Sequence, residues 1–284
     1  MISALNKEFQ NFEIIVVDDG STDDLEAALS SISDPRIRLI RQENMGANAA
    51  RNRGIDAANG DYVAFLDSDD QFLPGHLEHA VECIRGGHQG AIYGKVLVER
   101  SEGINFIKPS RAIHPGEHMA EYLLRDRGFV QTSTLVVPTA VARQVRYREG
   151  LPFGQDTDFA IRLFNVGVRF HMIAEPTAVW NDAYDRRRVS ATIDPHAHGS
   201  WLETMRDDIP SQAYYADRGW HLAKGYARSG SWLKAVRLCL WSIARGCYPP
   251  RFAMIVALQV LMPSVAYRKI SDLYLRCRPG GDDS

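Results

Sequence analysis

Two stretches decide how this chain folds: Glu13-Ile-Ile-Val-Val-Asp-Asp-Gly-Ser21 and Gly60-Asp-Tyr-Val-Ala-Phe-Leu-Asp-Ser-Asp-Asp70. In each, a short unbroken apolar run stops abruptly on carboxylates. Such runs, apolar on both faces and rich in β-branched or aromatic residues, read as buried strands of a parallel sheet. The intervening sequence supplies the crossover elements. Ser21-Thr-Asp-Asp24 can cap a helix over Leu25 to Ile32, and Ile37 to Ile40 reads as a second strand. Asn44-Met-Gly46 is a turn, and Ala47 to Asn59 reads as a helix closed by Gly60. After Asp70, Pro74 opens a helix with Leu77, Ala80, Val81 and Ile84 on one face. Alternating strand and helix implies an α/β layer fold with a mostly parallel sheet flanked by helices. Ligands in such sheets bind beyond the carboxyl ends of the strands, which is where both acidic clusters fall.

Further along, Ala91 to Glu99, Thr132 to Val137 and Phe170 to Ala174 read as strands, and Glu117 to Arg127 and Thr139 to Val145 as helices. Gly154-Gln-Asp-Thr-Asp158 leads into a helix with Phe159, Leu163 and Val166 on one stripe. Asn181 to Gly199 is polar, with Arg186-Arg-Arg188 and His196-Ala-His198, and reads as a loop. From Gln212 the periodicity is helical: 212–229, then 232–245 with Leu233, Val236, Leu240 and Ile243 in line, then an apolar segment beyond Pro249-Pro250. The expected division is a catalytic domain over 1–200 and a helical C-terminal extension over 201–284.

The chain has 284 residues, 45% hydrophobic and 24% charged, which excludes a mainly disordered or fibrous protein. Its net charge of −2 is unlike that of a dedicated nucleic-acid binder. The charge is unevenly spread: from Gln212 onward eleven bases face four acids. A basic tail on apolar helices suits an anionic surface such as lipid headgroups, or it is an ordinary solvated helix face. The longest apolar stretch, Phe252 to Met262, is too short to span a bilayer. Cys83, Cys239, Cys247 and Cys277 form no C-x-x-C pair and read as thiols of a reducing compartment. No secretory signal is visible, so the expected location is the cytoplasm, at the inner face of the plasma membrane if the tail docks there.

Two carboxylates one residue apart, Asp67 and Asp69, suit a hard divalent cation such as Mg²⁺ or Mn²⁺ carrying a diphosphate, since these ions take few protein ligands and complete their shells with water and phosphate. The same tripeptide can be a solvated loop. Asp18 and Asp19 at a strand end can accept from a base N–H or a ribose hydroxyl with Gly20 permitting close approach, or they can begin a helix cap.

Val17-Asp-Asp-Gly-Ser-Thr-Asp23, Glu43-Asn-Met-Gly46, Ala50-Arg-Asn-Arg-Gly54 and Gly60 to Asp70 together strongly resemble glycosyltransferase family 2, inverting enzymes of GT-A fold, over about residues 1 to 190. The resemblance implies that Asp19 contacts the nucleobase, usually uracil, with Asp18, Gly20, Ser21, Asn44 and Gly46 shaping that pocket. It implies that Asp69 holds the metal, with Asp67 on ribose, sugar or metal. Arg51 then lies near the nucleotide, or is a buried partner of Asp18 or Asp67. The family's Glu-Asp pair before a helix, whose Asp is the catalytic base, corresponds to Gln155-Asp156, so the base is kept and its neighbour is uncharged. Asp156 could otherwise be a helix cap. Gln155, Arg162, Trp180 and Arg188 fall in segments that line the acceptor side in the family.

The implied reaction moves a sugar from a nucleotide-diphospho-sugar, UDP foremost, to a saccharide or lipid-linked acceptor in bacterial cell-surface polysaccharide assembly. The family's usual first strand is not matched, as Ile2-Ser-Ala-Leu5 resembles the last turns of the helix after it. A late start, a fragment or an inactive relative acting as a scaffold are the expectations this leaves. A nucleotidyltransferase would carry a Gly-rich basic loop after its first strand, and a dinucleotide-dependent oxidoreductase a G-x-G-x-x-G; neither is present.

Overall fold

The computed structural model describes residues 2–5, 9–30, 32, 34–100, 103–182 and 194–277. These divide into two compact units that are not sequential: 1–97 with 130–180, and 98–129 with 181–284.

In the first unit β1 (Ile14–Asp19) pairs in parallel with β2 (Ile37–Gln42), Ile14 opposite Ile37 and Asp19 opposite Gln42. Helix α1 (Leu25–Ser30) makes the crossover between them. Asp24 starts it, its side chain accepting from Ala27 N at 3.0 Å. Helix α2 (Ala47–Ala57) packs on β1 and buries Asn48, Ala49, Asn52 and Ile55. Its two buried amides are satisfied at a distance: Asn48 donates to Arg148 O at 2.7 Å, and Asn52 donates to Tyr147 O at 2.9 Å and accepts from Tyr147 N at 2.8 Å.

A second sheet holds β3 (Tyr62–Ala64), β4 (Gln71–Phe72), β5 (Ala91–Arg100), β6 (Ile104–Lys108), β7 (Val136–Pro138) and β8 (Phe170–Asn181). Its order is β3-β7-β5-β8-β4, with β6 on β5. The β3–β7, β5–β7 and β4–β8 pairs are antiparallel and β1–β2 is parallel, while β5 and β8 run alongside in the same direction, from Ala91 N on Arg169 O to Asp182 N on Glu99 O, so the sheet is mixed. The strand expected over Phe170 to Ala174 continues through Pro176 to Asn181.

Helix α3 (His76–Arg85) lays Ala80, with Cys83 and Ile84, on Ile92, Val136 and Ile173. Helix α5 (Thr139–Val145) follows β7, and α6 (Gln155–Asn165) precedes β8. Between them and the sheet sits an aromatic cluster: Tyr147 stacks on Phe159 at 4.1 Å, and Phe65 meets both edge-on at 5.4 and 6.0 Å.

The second unit is helical: α4 (Met119–Leu124), α7 (Pro195–Thr204), α8 (Ser211–Asp217), a wide turn over Arg218–Leu222, α9 (Ala223–Arg228), α10 (Trp232–Ala244), α11 (Pro250–Leu261) and α12 (Ser264–Cys277). Its core joins Ala223, Tyr226, Ala235, Cys239, Phe252, Val256 and Val260. Gly219 is forced by packing, since a Cβ there would lie 2.3 Å from Ser242 Oγ. Among the described residues no helix is long and apolar enough to cross a membrane. Cys83, Cys239 and Cys247 are free thiols.

One expectation is overturned here. His196 and His198 do not lie on a polar loop but on α7, which Asp194 caps by accepting from His196 N at 2.9 Å. His198 is buried, with Trp201 and Leu202 beside it on the inner face, and pairs through Nε2 with the fully buried Asp217. His221 holds the other oxygen of Asp217 at 2.8 Å. The helix was hidden because its stabilising partner lies far along the chain.

Candidate functional site

The residues expected at the nucleotide end gather where β1 gives way to its loop. Gly20 turns the chain at φ 78°, and Asp18 accepts from Ser21 N at 2.8 Å. That backbone bond, with the Ser21 hydroxyl and the Arg41 charge, holds Asp18 below the usual carboxylate range. Asp19 reaches across to the next turn. Its carboxylate accepts from Gln42 Nε2 at 2.8 Å, Met45 N at 2.9 Å and Gly46 N at 2.8 Å. Although partial burial opposes it, these bonds keep Asp19 ionised below its ordinary range. Asp19 thereby fastens Asn44-Met45-Gly46 to the end of β1. Gly46, at φ 90°, delivers the chain into the N-terminus of α2.

One turn into α2 stands Arg51, mostly buried and the hub of the site. Its Nη2 and Nε meet Asp67 Oδ1 at 2.6 and 3.3 Å. Its Nη1 donates to Asn48 Oδ1 at 3.0 Å and to Gln155 Oε1 at 2.7 Å. The guanidinium also lies over the Tyr147 ring at 5.1 Å. Burial disfavours its charge, but the Asp67 and Asp156 carboxylates more than compensate, so Arg51 stays protonated. Of the two carboxylates that could have held it, the structure brings up Asp67.

The loop after β3 is fixed from beneath. Asp67 N donates to Ser133 Oγ at 3.0 Å, and Asp70 N donates to Asp67 O at 3.1 Å. Asp70 is buried, accepting from the Ser133 hydroxyl at 2.6 Å and from Gln131 Nε2, and burial pushes its pKa up to about 6. Asp69 is exposed and Asp67 partly so.

Asp156 sits in the first turn of α6, entered through Gly154 in a left-handed conformation. It does not cap the helix through its side chain. Its Oδ1 accepts from the Thr132 hydroxyl and its Oδ2 from Thr132 N at 3.2 Å. Burial, and then the Asp67 charge, raise its pKa above the ordinary value, against Arg51 and the Thr132 bonds. Gln155 beside it accepts from Arg51 and donates to Leu151 O at 3.0 Å.

Thr132 and Ser133 were expected in a strand over Thr132 to Val137. Residues Thr132–Thr134 instead form a tight helical turn, and β7 starts only at Val136. The turn aims both hydroxyls at carboxylates, a role that Gln131-Thr-Ser-Thr134 signals only as an unusually polar buried run. Arg162 donates to Asp158 Oδ2 at 2.8 Å, Val145 O at 2.6 Å and Arg146 O at 2.8 Å, which commits it to tying α6 to the end of α5. Trp180 follows Val179, the partner of Gln71, and is the penultimate residue of β8. Arg188 lies outside the described residues. Among the described residues no three His, Cys, Asp or Glu side chains cluster as a self-sufficient metal cage. What the loop after β3 offers is one exposed carboxylate, Asp69, beside the ion-paired Asp67. That donor set fits a hard cation that draws its remaining ligands from water and phosphate.

A mixed sheet flanked by helices, with carboxylate loops at the ends of β1 and β3, is the arrangement of GT-A glycosyltransferases. The structure superposes on S. aureus TarS 1-349, solved in complex with UDP-GlcNAc, with a TM-score of 0.65 at 18% identity, over 96% of this chain and 83% of that one. Residues 2–149 match the profile of glycosyl transferase family 2. The chain is 32% identical over 251 residues to the amylovoran biosynthesis glycosyltransferase AmsB of Erwinia amylovora, covering 82% of this chain and 81% of that protein. Over a shorter span, 36% of this chain and 34% of the other, it is 34% identical to the GalNAc(5)-diNAcBac-PP-undecaprenol beta-1,3-glucosyltransferase of Campylobacter jejuni. The chain belongs to glycosyltransferase family 2.

Proposed function

We propose that this glycosyltransferase moves a sugar from a nucleotide-diphospho-sugar, UDP-linked in the first instance, to a saccharide or lipid-linked saccharide in bacterial surface-polysaccharide assembly, with inversion at the anomeric carbon. The polysaccharide and lipid-linked acceptor follow the relatives named above. The observation that carries the chemistry is Asp156: a half-buried carboxylate of raised pKa, oriented by Thr132 and joined to the Asp67 loop through Gln155 and Arg51.

In this reading the acceptor hydroxyl gives its proton to Asp156 as its oxygen forms the new bond to the anomeric carbon. The bond to the nucleoside diphosphate breaks on the opposite face, and the diphosphate leaves with the electron pair. Arg51 holds Asp67 in place, while Asp19 keeps the Asn44–Gly46 turn closed where the nucleoside would lie. Asp69, with Asp67 beside it, would hold Mn²⁺ or Mg²⁺, and the ion supplies charge neutralisation for the departing diphosphate. The protein works at the inner face of the plasma membrane, held there by its basic C-terminal helices.

Calorimetric titration of UDP into the chain with Mn²⁺ and with EDTA tests the nucleotide site. Binding should require the metal and disappear in Asp69→Ala. In Asp156→Asn, UDP binding should persist while sugar transfer falls by about a thousandfold or more. Transfer retained by Asp156→Asn removes the base from the scheme.

A further inference from the structure

Of fourteen large hydrophobic side chains exposed among the described residues, eleven fall between Trp232 and Tyr274. They are organised by helix rather than scattered. On α10 the inner face buries Ala235, Cys239 and Ser242, while Leu233 (91% exposed), Leu240 and Trp241 stand on the outer face. On α11 the inner face buries Phe252, Val256 and Val260, while Met254, Leu258 and Leu261 recur outside at i, i+4 and i+7. Both helices bury their inner faces in one core cluster and pack on each other, so their outer faces adjoin.

The charge around this face has one sign. Residues 218–271 contain nine Lys or Arg and no Asp or Glu. Lys234, Arg237, Arg245 and Arg251 are exposed on these two helices, and none pairs with a carboxylate among the described residues. Lys234 and Arg245 rest on rings instead, at 3.8 Å over Tyr226 and 4.3 Å over Tyr215. Asp272, the first acid after this run, is already matched by Arg100 at 2.9 Å. A solvated helix face would mix signs and carry few exposed Leu, Met or Trp. An apolar strip with bases alongside and tryptophan at its border has the composition of an interfacial helix.

We infer that the outer faces of α10 and α11 together form a docking surface for an anionic lipid bilayer, with Leu233, Leu240, Met254, Leu258 and Leu261 entering the headgroup–acyl boundary and Lys234, Arg237, Arg245 and Arg251 meeting lipid phosphates. The inference deepens the membrane-associated part of the function proposed above, and its test needs neither donor nor acceptor. A chain that transfers sugar without binding vesicles, or the reverse, separates the two.

The test floats the full chain with vesicles of phosphatidylcholine alone and of phosphatidylcholine with phosphatidylglycerol. Binding should require phosphatidylglycerol and blue-shift the tryptophan fluorescence. Arg237→Gln with Arg251→Gln should weaken partitioning about twenty-fivefold, at about fivefold per base. Met254→Asp should weaken it about tenfold or more. All three substitutions are at exposed positions, so thermal melting should be unchanged, and Arg85→Gln on α3 should bind as the parent does. Equal binding by parent and variants, or no binding to anionic vesicles, overturns the inference. Self-association in sedimentation that Met254→Asp abolishes, without vesicle binding, assigns the face to a second copy of the chain and overturns it as well.

Discussion

Restoring a carboxylate at position 155 is the sharpest probe of how this site sets its basicity. Gln155 Oε1 lies 2.7 Å from Arg51 Nη1, next in sequence to Asp156. Gln155→Glu changes almost no volume but adds a negative charge at the head of α6. A unit charge about 6 to 8 Å from the Asp156 carboxylate, the reach of adjoining side chains, is worth about 2 to 3 kcal/mol at an effective dielectric of about 20. Divided by about 1.4 kcal/mol per pKa unit, that is roughly two units before solvent at the half-buried helix head screens it, and about one unit after. The sign is upward: like charge disfavours ionised Asp156, adding to burial and Asp67, which already raise it. The acid limb of the pH profile of kcat/KM for sugar transfer should therefore move about one unit to higher pH. Activity at a fixed pH on that limb should drop about tenfold. An acid limb that stays in place while activity falls would refute the electrostatic reasoning and make Gln155 a purely steric support for Arg51.

His76 is buried against Phe72 at 4.1 Å with neither ring nitrogen paired among the described residues, and burial, with the His79 charge, lowers its pKa to about 3. The unfolded chain takes up a proton below about pH 6.5 that the native state refuses, so stability present at pH 7 is lost as pH falls, by about 2 kcal/mol at pH 5. His76→Phe should remove that part of the slope in urea titrations at the two pH values; an unchanged slope counts against it. Asp217 is fully buried between His198 and His221. Asp217→Asn should cost about 3 kcal/mol or more in urea unfolding, because it breaks a buried charged cluster on one side only. A loss below about 1 kcal/mol would show that the histidines find other partners.

The sequence announces elements whose cause is local. Ile14 to Asp19 and Tyr62 to Ala64 are apolar runs too short for helices, α2 is bounded by Gly46 and Gly60, and α3 has its apolar residues at helical spacing. It hides elements whose cause is distant. The two-residue β4 has no period to read and exists because Ala178 and Val179 offer it an edge. The tight turn at Thr132–Thr134 looks like strand from its β-branched residues, yet its hydroxyls are drawn to Asp156 and Asp70. The same divide runs through the site. Asp19, Asp67, Asp69 and Asp156 stand out because carboxylates cluster at predictable element ends. That Arg51 would choose Asp67, and that Asp19 would spend its oxygens on the Asn44–Gly46 turn, depends on chain crossings with no sequence spacing to reveal them.

Those crossings also fix the charge that a donor meets. Arg51 is the cation bonded into the cluster, and Asp67 already neutralises it. Asp156 and the exposed Asp69 are further carboxylates of the site. A diphosphate brings about two negative charges, and charges of like sign within about 6 Å repel by about 3 kcal/mol each even at an effective dielectric of about 20. Among the described residues no second arginine is bonded into the cluster, so the proposed donor would draw on a cation that arrives with it, which is the role proposed for a divalent ion at Asp69. Gln155 acts in the same direction, since a glutamate there would add one more negative charge to the site. In the proposed reaction the neutral residue would thus ease entry of the diphosphate and make the proposed base, Asp156, a weaker one, favouring donor binding over proton affinity.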